Sequence, residues 1–73
     1  MISQVYLEYS FIVKPLSLGN EILIAELAYV GFESFVEDQQ GLKAYIQKKD
    51  WNKNILEKIK ILNSNEFEIT YSL

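Results

Sequence analysis

The sequence predicts an α+β fold, a four-stranded antiparallel sheet with two helices on one face. Three observations predict it. Period-two runs of β-branched and aromatic residues recur at 4–13, 31–38, 42–48 and 67–73. Two stretches with apolar residues at helical spacing lie between the first and second runs and between the third and fourth. All of this fits into 73 residues, the size of one small domain.

In QVYLEYSFIV, Val5, Leu7, Tyr9, Phe11 and Val13 fall on one face, and Tyr6, Glu8, Ser10 and Ile12 on the other. Pro15 ends the strand, because proline has no N–H for a ladder. Ser17 or Asn20 is expected to cap the first helix, with Glu21 near its positive end. That helix runs to about Val30. Gly31 fits the position just past its end, where a left-handed backbone costs glycine little.

The stretch GFESFVED is the second strand, with Phe32, Ser34 and Val36 inward and Glu33, Phe35 and Glu37 outward. DQQG is a turn, and LKAYIQK is the third strand, with Leu42, Ala44 and Ile46 inward and Lys43, Tyr45 and Gln47 outward. Asp50 reads as a second helix cap, followed by Trp51, Ile55, Ile59 and Leu62 at helical spacing. Trp51 is expected to act as a lid over the core. FEITYSL closes the chain, with Phe67, Ile69, Tyr71 and Leu73 on one face. With right-handed crossovers, the order βαββαβ has a known solution, the ferredoxin-like sheet with its first and third strands at the centre.

Composition excludes several chemistries. There is no Cys and no His, so Cys/His zinc sites, thiol nucleophiles, disulfides and histidine acid–base catalysis are out. The net charge is −3 and the seven basic residues are all Lys, a poor match to the basic patch of a nucleic-acid binder. The start, MISQVYLEY, lacks the pattern of a signal peptide, and the apolar run Ile22–Val30 is too short to span a bilayer. The expectation is a cytoplasmic domain that binds neither membrane nor nucleic acid.

Carboxylates are the remaining candidate acids and bases. Glu33 and Glu37 are spaced as a solvated strand face, and surface carboxylates are the ordinary state of Glu. Gly19, Gly31 and Gly41 stand apart, so there is no phosphate-cradling loop. No catalytic or metal-ligating set emerges. The uncovered sheet face is more informative, with Tyr6, Phe35 and Tyr45 among Glu8, Glu33, Glu37, Lys43 and Glu68. Aromatics among charges suit a protein interface, which makes Tyr6, Glu8, Phe35, Lys43 and Tyr45 the candidate partner-binding residues. The same pattern also serves cross-strand pairing within a sheet. The first helix carries a second apolar stripe, Leu18, Ile22, Ala25 and Tyr29, opposite Leu23, Leu27 and Val30. Apolar residues on both sides imply a second burial, against the second helix, another domain or another copy.

The stretch PLSLGNEILIAELAYVGFESFVEDQQGLKAYIQKKDW, with NEFEITYSL at the end, resembles the front of the PrmA family in its Bacteroidetes-type version. These are methyltransferases of protein eleven of the large ribosomal subunit. The resemblance implies that residues 1–73 form one ferredoxin-like substrate-recognition domain. It would bind the ribosomal protein and present it to a separate catalytic domain of the same protein, which uses S-adenosylmethionine. It also implies that the cofactor site and the catalytic residues lie outside this chain, which alone would catalyse nothing. The competing expectation is a self-associating ferredoxin-like regulatory or structural module.

Overall fold

The computed structural model describes residues 5–73; Gln4, at the head of the first expected strand, lies outside the described residues. Strand β1 (Tyr6–Lys14) leads into helix α1 (Leu16–Tyr29), then β2 (Ser34–Glu37), β3 (Gly41–Gln47) and finally β4 (Glu68–Ser72). The strands form one antiparallel sheet in the order β2-β3-β1-β4, with β1 and β3 central. The architecture is thus α+β with a four-stranded antiparallel sheet, as the alternation predicts.

The inward alternation of β1 holds from Leu7 onward: Tyr9, Phe11 and Val13 are buried and Leu7 packs at the margin, while Val5, just ahead of the strand, is exposed. Opposite them, Leu42, Ala44 and Ile46 of β3 are fully buried. Helix α1 adds Leu23 and Leu27, four residues apart and so on one side of the helix. Burying each such side chain stabilises by about 2 kcal/mol. Glycine sets two close approaches, helix to sheet at Gly19 and strand to strand at Gly41. A Cβ on Gly19 would lie 2.3 Å from Val13 Cγ1, and one on Gly41 would lie 1.9 Å from the Phe11 carbonyl oxygen.

The helix starts earlier than its expected caps. It begins at Leu16, directly after Pro15, whose missing N–H costs a helix start nothing. No side chain caps this end. Ser17 therefore lies within the helix, and so does Asn20, which is buried for another reason. Its Nδ2 donates to the Gly41 carbonyl (2.9 Å) and to Glu37 Oε1 (3.2 Å), tying the helix to the β2–β3 hairpin. The far end behaves as expected. Gly31, at φ 114°, donates to the Ala28 carbonyl, and Phe32 N–H reaches back to Leu27 O. This pair of bonds closes the helix in a Schellman motif, with Leu27 and Phe32 both buried beside it. The expected DQQG turn is present, with Asp38 Oδ1 accepting from the Gln40 and Gly41 amides.

The second α-helix is not formed. Residues 48–63 carry 3-10 turns at Lys48–Asp50, Ile55–Lys58 and Lys60–Asn63. Asp50 ends the first of these turns and does not cap a helix. Two local causes are visible. Asn52 Oδ1 accepts from the Asn54 amide, a side-chain turn that competes with helix. In addition, Ile55, Ile59 and Ile61 are all buried. On a continuous helix Ile61 would stand about 200° round from Ile59 and point away from the core. Extended backbone at Ile59 (φ −88°, ψ 100°) resets the phase so that both point inward. The broken backbone is held by α1, whose Glu26 Oε1 accepts from the Lys60 and Ile61 amides. Trp51 is the half-buried lid expected of it, its Nε1 donating to the Tyr9 hydroxyl at 2.8 Å.

The outer stripe of α1 is only partly used. Ile22 packs at the core margin, while Leu18, Ala25 and Tyr29 are exposed, Tyr29 at 92%. Among the described residues, no helix is long and apolar enough to cross a membrane.

Candidate functional site

The second face of the sheet carries no helix and is built by the outward residues of all four strands. Register fixes its layout. Tyr6 stands opposite Gln47, Glu8 opposite Tyr45, and Ser10 opposite Lys43. On the other side of β1, Ser10, Ile12 and Lys14 face Ser72, Thr70 and Glu68 of β4. Glu8 and Lys43 are exposed, Tyr6 and Ile12 nearly half so, and Tyr45 is half-buried by its neighbours. Four of the five expected contact residues, Tyr6, Glu8, Lys43 and Tyr45, therefore share this face.

Phe35 does not. It is registered opposite Ala44, an inward residue, and packs half-buried against the core. Ser34 and Val36 are the residues registered with outward Tyr45 and Lys43. The slip has a local cause. The Glu33 amide donates to the Tyr45 carbonyl at 2.9 Å, yet Ser34 is the residue paired with Tyr45. Two residues thus stand opposite one, the arrangement of a β-bulge, and the alternation after it shifts by one position. Phe32 and Phe35 both turn inward, three residues apart. Val36, 55% exposed, takes the outward place expected for Phe35. Glu37 turns toward the helix layer, where it accepts from Asn20. The sequence held a signal for this: strict alternation put Ser34 inward and Phe35 outward, against the hydrophobic preference of each.

One end of the open face gathers polar and aromatic side chains. Tyr45 donates to Glu8 Oε2 at 2.7 Å, across the strand pair. Tyr6 donates to Glu33 Oε1 at 3.2 Å, and the Gln47 side-chain amide donates to Glu33 Oε2. The phenol of Tyr45 is pushed above its ordinary value of 10.0, first by its bond to Glu8, then by partial loss of water and by the charge of Glu8. Tyr6 is also raised, first by partial loss of water and then by the bond to Glu33 and its charge. Both phenols therefore remain neutral donors at neutral pH. Glu33 and Gln47 were not among the expected contacts, although the expected alternation already put both outward. At the opposite end lie Ile12, Val36, Lys43 and Lys14. Among the described residues, no group of three or more acidic side chains converges to hold a metal ion.

Fold and face together define a small two-layer α+β structure with one sheet face uncovered. Comparison with known proteins then gives the particular likeness. The chain is similar to a protein of Bacteroides thetaiotaomicron named "Ribosomal protein L11 methyltransferase", 39% identical over 69 residues, which are 92% of this chain and 25% of that protein. Proteins of the same name from two strains of Bacteroides fragilis are 44% identical over 52 residues, 70% of this chain and 19% of theirs. The resemblance to the PrmA methyltransferases is thus shown over most of the chain, which spans a quarter or less of the length of these curated relatives. No family model matches the chain. No solved structure matches it.

Proposed function

We propose that this chain is the substrate-recognition domain of a ribosomal-protein methyltransferase, binding ribosomal protein L11 and presenting it to a separate catalytic domain. The observation that carries the reading is the 39% identity across 92% of the chain with a protein named for that activity. A ferredoxin-like assignment is supported by the strand order β2-β3-β1-β4, in which the 3-10 stretch 48–63 occupies the chain position of the second helix. The open sheet face is the proposed contact surface, with Tyr6, Glu8, Lys43 and Tyr45 as its residues and Val36 in place of Phe35. Exposed aromatic and apolar side chains inside a charged rim are what protein interfaces use.

S-adenosylmethionine, the methyl donor in this proposal, belongs to the catalytic domain, and no residue of this chain is assigned to it. Alone, in this proposal, the domain binds the ribosomal protein but carries out no methyl transfer. The proposed compartment is the cytoplasm, where a ribosomal protein is met.

Titration of the folded chain with purified ribosomal protein L11, followed by calorimetry, tests the reading. Saturable association is expected, weakened by Tyr45→Ala with the fold intact. No heat and no association at high concentration, with native circular dichroism, would refute it.

A further inference from the structure

We propose that the acidic–aromatic end of the open face takes a cationic side chain, lysine or arginine, of the protein partner, seated between Glu8 and Glu33 over the rings of Tyr6 and Tyr45. This rests on the open face being the binding surface and adds the chemistry of what it binds.

Three features point there together. First, both carboxylates are held by neutral donors: Tyr45 on Glu8, and Tyr6 with Gln47 on Glu33. Such bonds fix the position of the oxygens without cancelling their charge, so an arriving cation meets two anions already in place. Second, the register puts Tyr45 between them, paired with Glu8 on one side and with Ser34, next to Glu33, on the other. Aromatic rings beside a cation add attraction of their own. Third, the two ends of the face differ. Lys43 stands opposite Ser10 and Val36, with exposed Ile12 nearby, at the end away from Tyr6 and Gln47. A partner with a cation at one end and an apolar group beside the other would lie on the face in one direction. A partner presenting a carboxylate or phosphate to Glu8 and Glu33 would meet like charge.

The raised phenol values of Tyr6 and Tyr45 agree with this, since donors that keep their protons keep the carboxylates oriented through the neutral range.

Two short peptides test the inference, identical except that the lysines of one are glutamates in the other. In an NMR titration of the folded chain, the lysine peptide should shift the resonances of Tyr6, Glu8, Glu33 and Tyr45, and added salt should weaken it. Glu8→Gln with Glu33→Gln should lower its affinity about tenfold, since two exposed charge contacts are involved. Lys58→Gln, at an exposed residue of the stretch 48–63 and outside the open face, should leave it unchanged. Both glutamates are exposed, and a thermal melt confirms that the variants remain folded. Equal binding of the glutamate peptide, binding of neither, or an unaltered affinity in the double variant overturns the inference. Ribosomal protein L11 separates this from the functional reading. If L11 binds and the double variant binds it equally well, the inference falls and the reading stands. If L11 fails to bind while the lysine peptide behaves as expected, the reading falls and the inference stands.

Discussion

Helix α1 and the stretch 48–63 do the same work by different means. Both cover one face of the sheet and both contribute to one core, Leu23 and Leu27 from the helix, Ile55, Ile59 and Ile61 from the stretch. The helix satisfies its own backbone and is closed by the Schellman motif at Gly31. The stretch cannot, because its buried residues do not share a helical stripe. It breaks at Ile59 and borrows an acceptor, Glu26, from the helix beside it. Core placement thus overrides regular secondary structure where the two conflict, provided a neighbour supplies the missing hydrogen bonds.

The largest effect expected from breaking this comparison comes from its centre. Ile59→Ala and Leu27→Ala each remove a fully buried side chain, and each should cost about 2–5 kcal/mol in urea unfolding. Similar values would show that the irregular stretch is packed as firmly as the helix. A cost below about 1 kcal/mol for Ile59→Ala would show that the stretch is loosely held. Next comes the contact between helix and sheet. In Gly19→Ala the new Cβ meets the side chain of Val13, a buried, β-branched residue with little room to rotate. Overpacking of this kind costs about 1–3 kcal/mol, read as a lower melting temperature.

The two strands that flank the helix show how far the sequence was legible. In β1, alternation alone placed Tyr9, Phe11 and Val13 in the core and Tyr6 and Glu8 on the open face. In β2 the same rule failed, because alternation has no term for a bulge. One extra residue at Glu33 and Ser34 moved Phe35 from the contact face into the core and Val36 out of it. The second helix failed for a related reason: Trp51, Ile55, Ile59 and Leu62 fit one stripe, but buried Ile61 does not. Gly31 and the DQQG turn were legible because each depends on one or two neighbouring residues. The layout of the open face depends on register across the four strands, which no single segment encodes. The slip has a direct test. Phe35→Ala should cost about 1–2 kcal/mol of stability and leave L11 binding nearly unchanged, while Val36→Ala should do the reverse. Binding lost with Phe35 and retained with Val36 would restore the unbulged strand.

A smaller effect is expected at the bond that holds the irregular stretch to the helix. Glu26→Ala removes the acceptor of the Lys60 and Ile61 amides and should cost about 1 kcal/mol. Hydrogen exchange should quicken at those amides before it quickens in α1. A uniform increase across the domain would mean that the stretch and the helix open as one unit.

The smallest effect lies on the open face and appears only at alkaline pH. The folded state raises the Tyr45 phenol above its ordinary value of 10.0, chiefly through its bond to Glu8. A raised value means that the folded chain holds this proton more tightly than the unfolded chain does. The associated stability is therefore present in full below pH 10.0 and is lost as pH rises through the folded value. An NMR titration of the tyrosine Cζ resonances should place Tyr6 and Tyr45 above 10.0. Glu8→Gln should bring Tyr45 down toward 10.0 and leave Tyr6 in place, because Tyr6 is held by Glu33. If both phenols moved together, the group would be a single coupled network. Glu8 and Glu33 would then act on a partner as one anionic site spanning three strands, not as two posts on either side of Tyr45.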